Sequence, residues 1–295
     1  MRQIGWIGLG KMGLPMAQRI LEKGHNLNIY NRTQSKMNSF QKQNTTQHEN
    51  TADLAQQSDL IISMISDDKA IKDVALGNEG ILNHAKKGTT YIAMSTISPA
   101  ISAEIAQIAE QKGIYYLRAP VNGTVMQVEN STLVILISGS KEIFNINQDL
   151  FNILGNKIYY VGDQEQARYL KLSINMMVGI SAIMMAEALA LGSSSGLDRK
   201  LMVDIIKNSA VGSPLINYKE KTLKDRDFTP AFSAEQMAKD FDLILQAGRS
   251  ANVPLTMTAL TREHWSTMIS MGRGEQDYFG YADLLEQLAG QQDKL

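Results

Sequence analysis

The first half of the chain alternates short apolar segments with amphipathic ones, and the alternation ends near residue 162. Segments such as "QIGWIGLG" and "LIISMI" have the length and composition of buried strands, whereas "MGLPMAQRILEKG" has the spacing of a helix that packs on one face. Strands that alternate with helices are typical of a parallel sheet with crossover helices. The pattern therefore predicts an α/β domain over residues 1–162.

The second half contains no comparable strand pattern. Residues 163–191 are periodic enough to form one continuous helix, about 43 Å long at a rise of about 1.5 Å per residue, and "GSSSG" at 192–196 has the composition of a helix stop. Helical patterns continue beyond it, with a loop predicted around Pro214. The predicted fold is an α/β domain followed by a long interdomain helix and an all-α domain over residues 163–295.

Composition limits the classes of partner. The formal net charge is −1 and the pI is about 6.4, so no basic surface favours a nucleic acid or an anionic membrane. The chain has no cysteine, which excludes disulfides and thiol catalysis and fits a reducing compartment. No secretory signal is visible, and the apolar run 176–192 is shorter than the roughly 20 residues of a membrane span. We therefore expect a cytoplasmic protein.

The stretch "GLGKMG" contains Gly8, Gly10 and Gly13, follows the first predicted strand and opens the first helix. In this context Gly8 permits a tight turn, Gly10 lets a pyrophosphate approach the backbone, and Gly13 permits close packing of the helix. The free N–H groups at the helix N-terminus attract phosphate. The pattern predicts that residues 1–162 form a Rossmann-type dinucleotide-binding domain, and a glycine-rich turn without a ligand is the alternative.

The second predicted strand ends in Asn31, Arg32 and Thr33. A chain that binds NAD usually has an acidic residue here, which holds the ribose 2′-hydroxyl. Arg32 can instead hold a 2′-phosphate with paired donors, helped by Asn31, Thr33 and Lys36. The sequence therefore predicts that NADP(H) is preferred and that NAD(H) is possible. The alternative is an exposed turn whose arginine faces water.

Lys171 and Asn175 lie four residues apart in the apolar pattern of the long helix, and therefore on one helical face. Burial of a lysine without a partner costs several kcal/mol, roughly, because the ammonium group loses its hydration. We therefore expect other groups of the protein or a ligand to form hydrogen bonds or ion pairs with these two side chains. The alternative is a lysine whose aliphatic stem lies along the surface while its ammonium group reaches water.

Four segments, in this order, resemble motifs of the β-hydroxyacid dehydrogenase family, which includes 3-hydroxyisobutyrate dehydrogenases and glyoxylate/succinic semialdehyde reductases. The segments are "GLGKMGLPM" (8–16), "MSTISP" (94–99), "KLSIN" (171–175) and "KDFDL" (239–243). Any one of them alone is a weak signal, but four ordered matches at the family's spacing are specific. The resemblance covers nearly the whole chain.

This resemblance implies an oxidoreductase that interconverts a small β-hydroxy acid and its semialdehyde or keto form. Lys171 would act as general acid and base, and Asn175 would hold the substrate hydroxyl or orient Lys171, in a cleft lined by the long helix. Ser95 would contact the substrate. The implied cofactor-binding residues are Gly8, Leu9, Gly10, Lys11, Met12, Gly13, Asn31, Arg32, Thr33, Met64, Thr96 and Lys239. Family members are commonly dimers or tetramers, so we expect a homodimer or homotetramer.

One motif departs from the family. Its substrate loop usually reads D-A-P-V-S-G-G, whereas residues 118–124 here read "RAPVNGT". Asn122 replaces a serine that holds the substrate carboxylate, Thr124 replaces a glycine, and Arg118 replaces the aspartate. The Asn122 amide and the N–H groups of Gly123 and Thr124 can still bind an anion, and we expect Arg118 to be solvated or salt-bridged. The identity of the substrate stays open.

Three other functions remain in view. An imine reductase could use the same scaffold, although such relatives usually lack the lysine that Lys171 provides. A regulatory dinucleotide-binding protein without turnover would be expected to have lost Lys171 or Asn175, and both are present. A 6-phosphogluconate dehydrogenase shares the first domain, but the helical half here is too short for its usual form. The four histidines are scattered and lack the spacing of metal ligands.

Overall fold

The computed structural model describes residues 2–40 and 44–291. The chain divides into two compact units, Met1–Lys171 and Leu172–Leu295. The last strand of the first unit ends at Gly162, and the division itself falls inside the long helix Gln166–Ser194. The first half is therefore α/β and the second half is helical, as the sequence predicted.

The described part of unit 1 contains a nine-stranded sheet with the order β3-β2-β1-β4-β5-β6-β8-β7, and β9 pairs with β8. The strands are β1 (Ile4–Ile7), β2 (Leu27–Tyr30), β3 (Thr45–Gln47), β4 (Leu60–Ser63), β5 (Thr90–Ala93), β6 (Tyr115–Arg118), β7 (Val121–Asn122), β8 (Leu133–Ser138) and β9 (Gly155–Gly162). Strands β1 to β6 pair in parallel.

The sheet is mixed rather than wholly parallel, because β8 runs antiparallel to β6 and β7. Residues 123–132, which include the short helix Val125–Glu129, connect β7 to β8, and a parallel pair needs a longer crossover of about a dozen residues or more. The chain therefore turns back beside β7. The alternation of strands and helices indicated a parallel sheet, and the antiparallel pairing at this edge is a local exception, because β8 and β9 are again parallel.

Helices cover both faces of the sheet. They are α1 (Gly13–Glu22), α2 (Thr51–Gln56), α3 (Asp68–Leu76), α4 (Ile81–His84), α5 (Pro99–Gln111), α6 (Val125–Glu129), α7 (Lys141–Ile146) and α8 (Gln148–Leu154), with a 3₁₀ helix at Gln34–Phe40. The consecutive residues Ile61 and Ile62 of β4 belong to two different apolar clusters. A strand buried on both faces reads as a continuous apolar run, which is why these strands were visible in the sequence.

The order of the strands places a ligand site at one position. The chain passes from β1 to β2 on one side and later crosses to β4 on the other side of β1. Open α/β sheets bind ligands outside the carboxyl ends of the strands where the order reverses in this way. Gly8, Asn31 and Met64 follow β1, β2 and β4 at that edge. These residues all belong to the predicted cofactor site.

The core of unit 2 is helical. The later part of α9 (Gln166–Ser194) is followed by α10 (Arg199–Lys207), α11 (Pro214–Asp225), α12 (Ala234–Ser250), α13 (Thr256–Ser270), a 3₁₀ helix at Tyr278–Gly280 and α14 (Tyr281–Leu288). Pro214 begins α11, with Ser213 as its N-cap, so the predicted loop is a helix. A Cβ on Gly179 would lie 2.3 Å from the Phe241 ring, so this glycine lets α9 and α12 pack closely.

By length and composition alone, α9 could cross a membrane, since the mean hydropathy of its most apolar window is 1.8. The core helix of a soluble protein passes the same test. Within unit 2, Ala182, Met185 and Leu189 of α9 are buried in a cluster that also contains Phe241 and Trp265. One face of α9 therefore packs in the helical core of unit 2, whereas Met177, Met184 and Leu191 are exposed.

Candidate active site

The glycine turn after β1 leaves room for a ligand on one side only. Gly8 has a φ of +99°, and a Cβ there would lie 2.3 Å from the carbonyl oxygen of Met64. A Cβ on Gly13 would lie 2.1 Å from the carbonyl oxygen of Gly8. A Cβ on Gly10 would meet no described atom within 4 Å. The chain is therefore packed tightly at Gly8 and Gly13 and open at Gly10.

The N-terminus of α1 fits an anion. Among the described residues, no side chain caps this helix at Met12, and its first turn contains no acidic residue. The first N–H groups of a helix have no acceptor within the helix, and the helix dipole places partial positive charge there. The predicted residues Lys11, Met12 and Gly13 lie at this end, beside the open side of Gly10. The arrangement fits a pyrophosphate group.

Asn31 connects two loops at the end of β2. Its Oδ1 accepts a hydrogen bond from the Leu9 N–H at 2.8 Å, and its Nδ2 donates to the Thr33 carbonyl at 2.9 Å. Arg32 is exposed and makes no hydrogen bond or ion pair with another described residue, and Thr33 and Lys36 are also exposed. Asn31 therefore shapes the turn, while the Arg32 guanidinium remains available to a ligand.

Ser95 lies in the loop after β5, where it is fully buried. Its Oγ accepts a hydrogen bond from the Ile65 N–H at 2.8 Å, and Met64 N–H donates to the Ile7 carbonyl at 2.9 Å. The loops that follow β1, β4 and β5 are thus joined to each other. Thr96, the next residue, is half-buried. The Ser95 side chain connects two loops, so Thr96 is the more accessible of the two predicted residues.

Lys171 has a partner within unit 1. It is 8% exposed, and its Nζ donates a hydrogen bond to Asn122 Oδ1 at 2.7 Å. The sequence predicted that another group receives this ammonium group, and Asn122, at the end of β7, does so. The amide oxygen of Asn122 therefore faces Lys171. This contact also fixes the direction of the amide nitrogen.

The Nδ2 of Asn122 is buried and has no hydrogen-bond partner among the described residues. An unpaired buried donor costs about 1–3 kcal/mol. An acceptor atom on a ligand would remove this cost. The Oδ1 of Asn122 thus accepts a hydrogen bond from Lys171, whereas its Nδ2 has a hydrogen left to donate. This arrangement suits a ligand that carries an oxygen acceptor.

The next two residues are held by the local fold. Gly123 has a φ of +140°, and a Cβ there would lie 2.7 Å from the Leu133 side chain. Thr124 donates from its N–H to Gln127 Oε1 at 2.8 Å and from its Oγ1 to the same oxygen at 2.6 Å. We expected the Thr124 N–H to be available to an anion, and in this structure Gln127 occupies it. The sequence did not suggest this role for Gln127.

Arg168 is a residue that sequence reasoning missed. It is 1% exposed and lies three residues before Lys171 in α9. Its guanidinium donates to the Ser95 carbonyl at 2.6 Å, the Ala93 carbonyl at 3.0 Å, the Tyr116 hydroxyl at 3.2 Å and Ser102 Oγ at 3.2 Å. The available signal was an arginine in the otherwise apolar start of the long helix. It links α9 to β5, α5 and β6 within unit 1.

Tyr91 packs against the same group of residues. Its ring lies 5.4 Å from that of Tyr116, measured between centroids. Burial raises the pKa of the Tyr91 hydroxyl, which forms a hydrogen bond with Ser63 Oγ at 2.9 Å. The hydroxyl therefore stays protonated and does not compensate the charge of Arg168.

Arg118 forms an ion pair with Glu165 at the end of β6. Its Nε donates to Glu165 Oε1 at 2.8 Å, and its guanidinium lies 4.8 Å from the centre of the Tyr116 ring. Arg118 is 7% exposed, so it is salt-bridged rather than solvated. The positive charge of Arg118 is balanced by the carboxylate of Glu165, which lies just before α9. Arg118 is therefore not a candidate for binding an anionic ligand.

Unit 2 contains the second polar cluster. Asn175 Nδ2 donates to Asp240 Oδ2 at 2.6 Å, and Lys239 Nζ lies 2.8 Å from Asp240 Oδ1. Asp240 is 1% exposed and fixes the orientation of the Asn175 amide, because a carboxylate oxygen only accepts. The Oδ1 of Asn175 is thus the atom left to meet another donor. The sequence suggested Lys239 and gave Asp240 no role of its own.

Two family models match the chain. Residues 3–162 match the model described as the NAD binding domain of 6-phosphogluconate dehydrogenase. Residues 166–285 match the model described as the NAD-binding region of NADP-dependent 3-hydroxyisobutyrate dehydrogenase. Together the two matches extend from β1 into α14 and include Lys171, Asn175 and Lys239.

Whole proteins are similar over nearly their full length. The chain is 33% identical to 2-(hydroxymethyl)glutarate dehydrogenase of Eubacterium barkeri, over 98% of this chain and 96% of that one. It is 29% identical to NAD-dependent L-serine dehydrogenase of Pseudomonas aeruginosa, over 99% and 100% respectively. The solved structure of Mycobacterium tuberculosis 3-hydroxyisobutyrate dehydrogenase with L-serine superposes with a TM-score of 0.88 at 22% identity, over 97% and 99%. At that identity the structural match concerns the fold.

Proposed function

The chain belongs to the β-hydroxyacid dehydrogenase family of NAD(P)-dependent oxidoreductases, and we propose that it interconverts a small hydroxy acid and the corresponding semialdehyde or keto acid. The family acts on the CH–OH group of small hydroxy acids. The finer proposal is that the substrate carries a carboxylate, that NADP(H) is the preferred cofactor, and that Lys171 transfers the proton.

One observation carries this proposal: the hydrogen bond between Lys171 Nζ and Asn122 Oδ1, beside the unpaired Nδ2 of Asn122. Because Lys171 Nζ is held by the Asn122 amide oxygen, its ammonium group would be placed to give a proton to a substrate oxygen. The unpaired Nδ2 is a donor for a second oxygen of the same substrate. A proton donor next to an unsatisfied amide suits a molecule with a carbonyl or hydroxyl group and a carboxylate.

The proton transfer assigns a role to each residue. A bound nicotinamide supplies hydride in the reduction and accepts it in the oxidation. Lys171 gives a proton to the carbonyl oxygen during reduction and takes it back from the hydroxyl during oxidation. Asn122 keeps Lys171 in place and donates to the substrate carboxylate. Lys171 favours a carbonyl substrate over an imine, because an imine-reducing relative usually lacks it.

The residues of unit 1 also fit the cofactor. The open side of Gly10 and the uncapped N-terminus of α1 would hold the pyrophosphate. Arg32 would pair with a ribose 2′-phosphate, since its exposed guanidinium makes no hydrogen bond or ion pair with another described residue. Asn31 would act indirectly by fixing the turn that carries Arg32.

We expect carboxylate-bearing aldehydes to be reduced in preference to neutral ones. The test compares succinic semialdehyde and glyoxylate with butanal, and 3-hydroxy acids with 1-butanol, by following NADPH at 340 nm. Because a hydrogen bond to a charged group contributes about 1.5–3 kcal/mol, kcat/KM for the carboxylate substrates should be higher by at least about tenfold. Equal rates on butanal, or turnover confined to imines, would contradict the proposal.

We also expect NADPH to be preferred over NADH by at least about tenfold in kcat/KM, since a charge-assisted contact contributes about 1.5–3 kcal/mol. The change Arg32→Asp should reverse the preference, because a carboxylate repels the 2′-phosphate and accepts from a 2′-hydroxyl. Lys23→Asp changes the charge by the same amount at an exposed position at the end of α1 and should leave the ratio unaltered. Equal use of NADPH and NADH by the unmodified protein would contradict the role assigned to Arg32.

A further inference from the structure

We propose that Arg168 is a positioning residue, which holds the turn of α9 that carries Lys171 against the loop that carries Ser95 and Thr96. The proposal rests on the function proposed above, in which Lys171 transfers the proton. Neither the sequence motifs nor the family resemblance assigned Arg168 a role. Its importance follows from its burial and from the groups it contacts.

The contacts of Arg168 are unusual for a buried guanidinium. All four of its hydrogen-bond acceptors are uncharged: the carbonyls of Ala93 and Ser95 and the hydroxyls of Ser102 and Tyr116. Among the described residues, no carboxylate forms an ion pair with it. Removing a charge from water is costly without a counter-charge. Each of the three guanidinium nitrogens of Arg168 donates a hydrogen bond. The guanidinium therefore fixes the position of α9 relative to the segments that carry its acceptors.

The constraint acts close to Lys171. Residues three apart on a helix are neighbours on its surface, with about 5–6 Å between their Cβ atoms. Arg168 therefore fixes the rotation and position of the turn that presents Lys171. Its contact with the Ser95 carbonyl at 2.6 Å extends the effect, because Ser95 Oγ in turn holds the Ile65 N–H. One guanidinium thus sets the Lys171 turn relative to the loops after β4 and β5.

Other contacts of this end of α9 do not duplicate that role. Glu165 pairs with Arg118 of β6, and Ala167 N–H donates to Ser138 Oγ of β8 at 3.3 Å. Both hold the start of the helix to β6 and β8 rather than to the Ser95 loop. A lysine could not replace Arg168, because its single ammonium group lacks the planar fork that reaches separate acceptors. Catalysis is sensitive to such placement, since a shift of about 1 Å can cost about 10²-fold in rate.

The test uses Arg168→Lys and Arg168→Met in the full-length protein, on the best carboxylate substrate found. We expect Arg168→Met to lower kcat by about 10- to 100-fold, with the NADPH Kd within about threefold, and Arg168→Lys to fall between it and the wild type. The primary deuterium isotope effect on kcat, measured with 4-deuterated NADPH, should rise in both, because a misplaced proton donor slows the chemical step. A purely structural arginine would change the melting temperature without changing the isotope effect.

Arg199→Lys is the matched control. Arg199 is also buried, at 4% exposure, and its Nε donates to the Leu223 carbonyl at 2.8 Å, but it lies in unit 2. Its variant should melt at a lower temperature and keep kcat and the isotope effect. Tyr116→Phe removes one acceptor of Arg168 and should give a smaller fall in kcat, so it decides the question if neither Arg168 variant folds.

Two results would overturn the inference in distinguishable ways. The first result is a wild-type kcat and isotope effect in folded Arg168 variants, or in Tyr116→Phe if those variants do not fold. If Lys171→Ala is inactive in the same assay, this result would overturn the role of Arg168 and leave the proposed function intact. Near wild-type turnover of Lys171→Ala would overturn the proposed function and the inference together. A fall in kcat with a raised isotope effect in the Arg168 variants, absent from Arg199→Lys, supports it.

Discussion

Replacement of Lys171 by alanine is expected to lower kcat by about 10²- to 10⁴-fold, which is the usual contribution of a positioned general acid or base. The alanine variant has no group to protonate the carbonyl oxygen as hydride arrives. It also leaves Asn122 Oδ1 without its donor. NADPH affinity should stay within a few fold, because the ammonium group would act on the substrate oxygen and not on the cofactor phosphates. Steady-state kinetics and NADPH fluorescence titration measure the two quantities.

The pattern of kinetic changes separates the possible roles of Lys171. A raised KM with an unchanged kcat would mean that Lys171 only binds the substrate anion. Turnover close to the wild type would show that the proton comes from elsewhere. Asn175→Ala is the graded comparison and should have a milder effect, because Asn175 positions a group and does not transfer the proton. Its amide is held by Asp240 in unit 2.

Much of the fold could be predicted because the strands of unit 1 are apolar on both faces. Strands β1, β4 and β5 are buried along their whole length and therefore stood out as apolar runs. The glycine turn was equally visible, since Gly8 and Gly13 have no room for a side chain. Where the structure allows only one residue type, the sequence is informative.

Other elements could not be predicted, because their sequence patterns are too short or are compatible with two kinds of structure. Strand β7 has two residues, which is too few to show a period, and the antiparallel edge depends on it. Pro214 suggested a loop, yet proline is favoured in the first turn of a helix and Ser213 caps that helix. The long-range contacts of Arg168, Asp240 and Gln127 were hidden, because their partners depend on which loops the fold brings together.

The change Asn122→Asp is expected to lower kcat/KM for carboxylate substrates by at least about 10²-fold. The donor Nδ2 becomes a carboxylate oxygen, so a hydrogen bond to a charged group, worth about 1.5–3 kcal/mol, is lost. A like charge is placed beside the substrate carboxylate in a site where little water screens it. The residue at 122 still offers an oxygen to Lys171 Nζ, which in the unmodified protein lies 2.7 Å from Asn122 Oδ1. Lys171 therefore keeps residue 122 as its hydrogen-bond partner, whereas residue 122 now repels the substrate carboxylate.

The decisive measurement is the ratio of kcat/KM for succinic semialdehyde to that for butanal. Any effect of the new carboxylate on Lys171 acts on both substrates and cancels in the ratio, whereas loss of anion recognition acts on one. Asn122→Ser supplies the hydroxyl that the family uses and should keep most of the preference for the carboxylate. Asn122→Leu matches the shape of asparagine without either polar atom and should lose the preference without reversing it. If Asn122→Asp kept the wild-type ratio, the buried Nδ2 would not be the donor to the substrate, and the carboxylate would have to be bound by another residue.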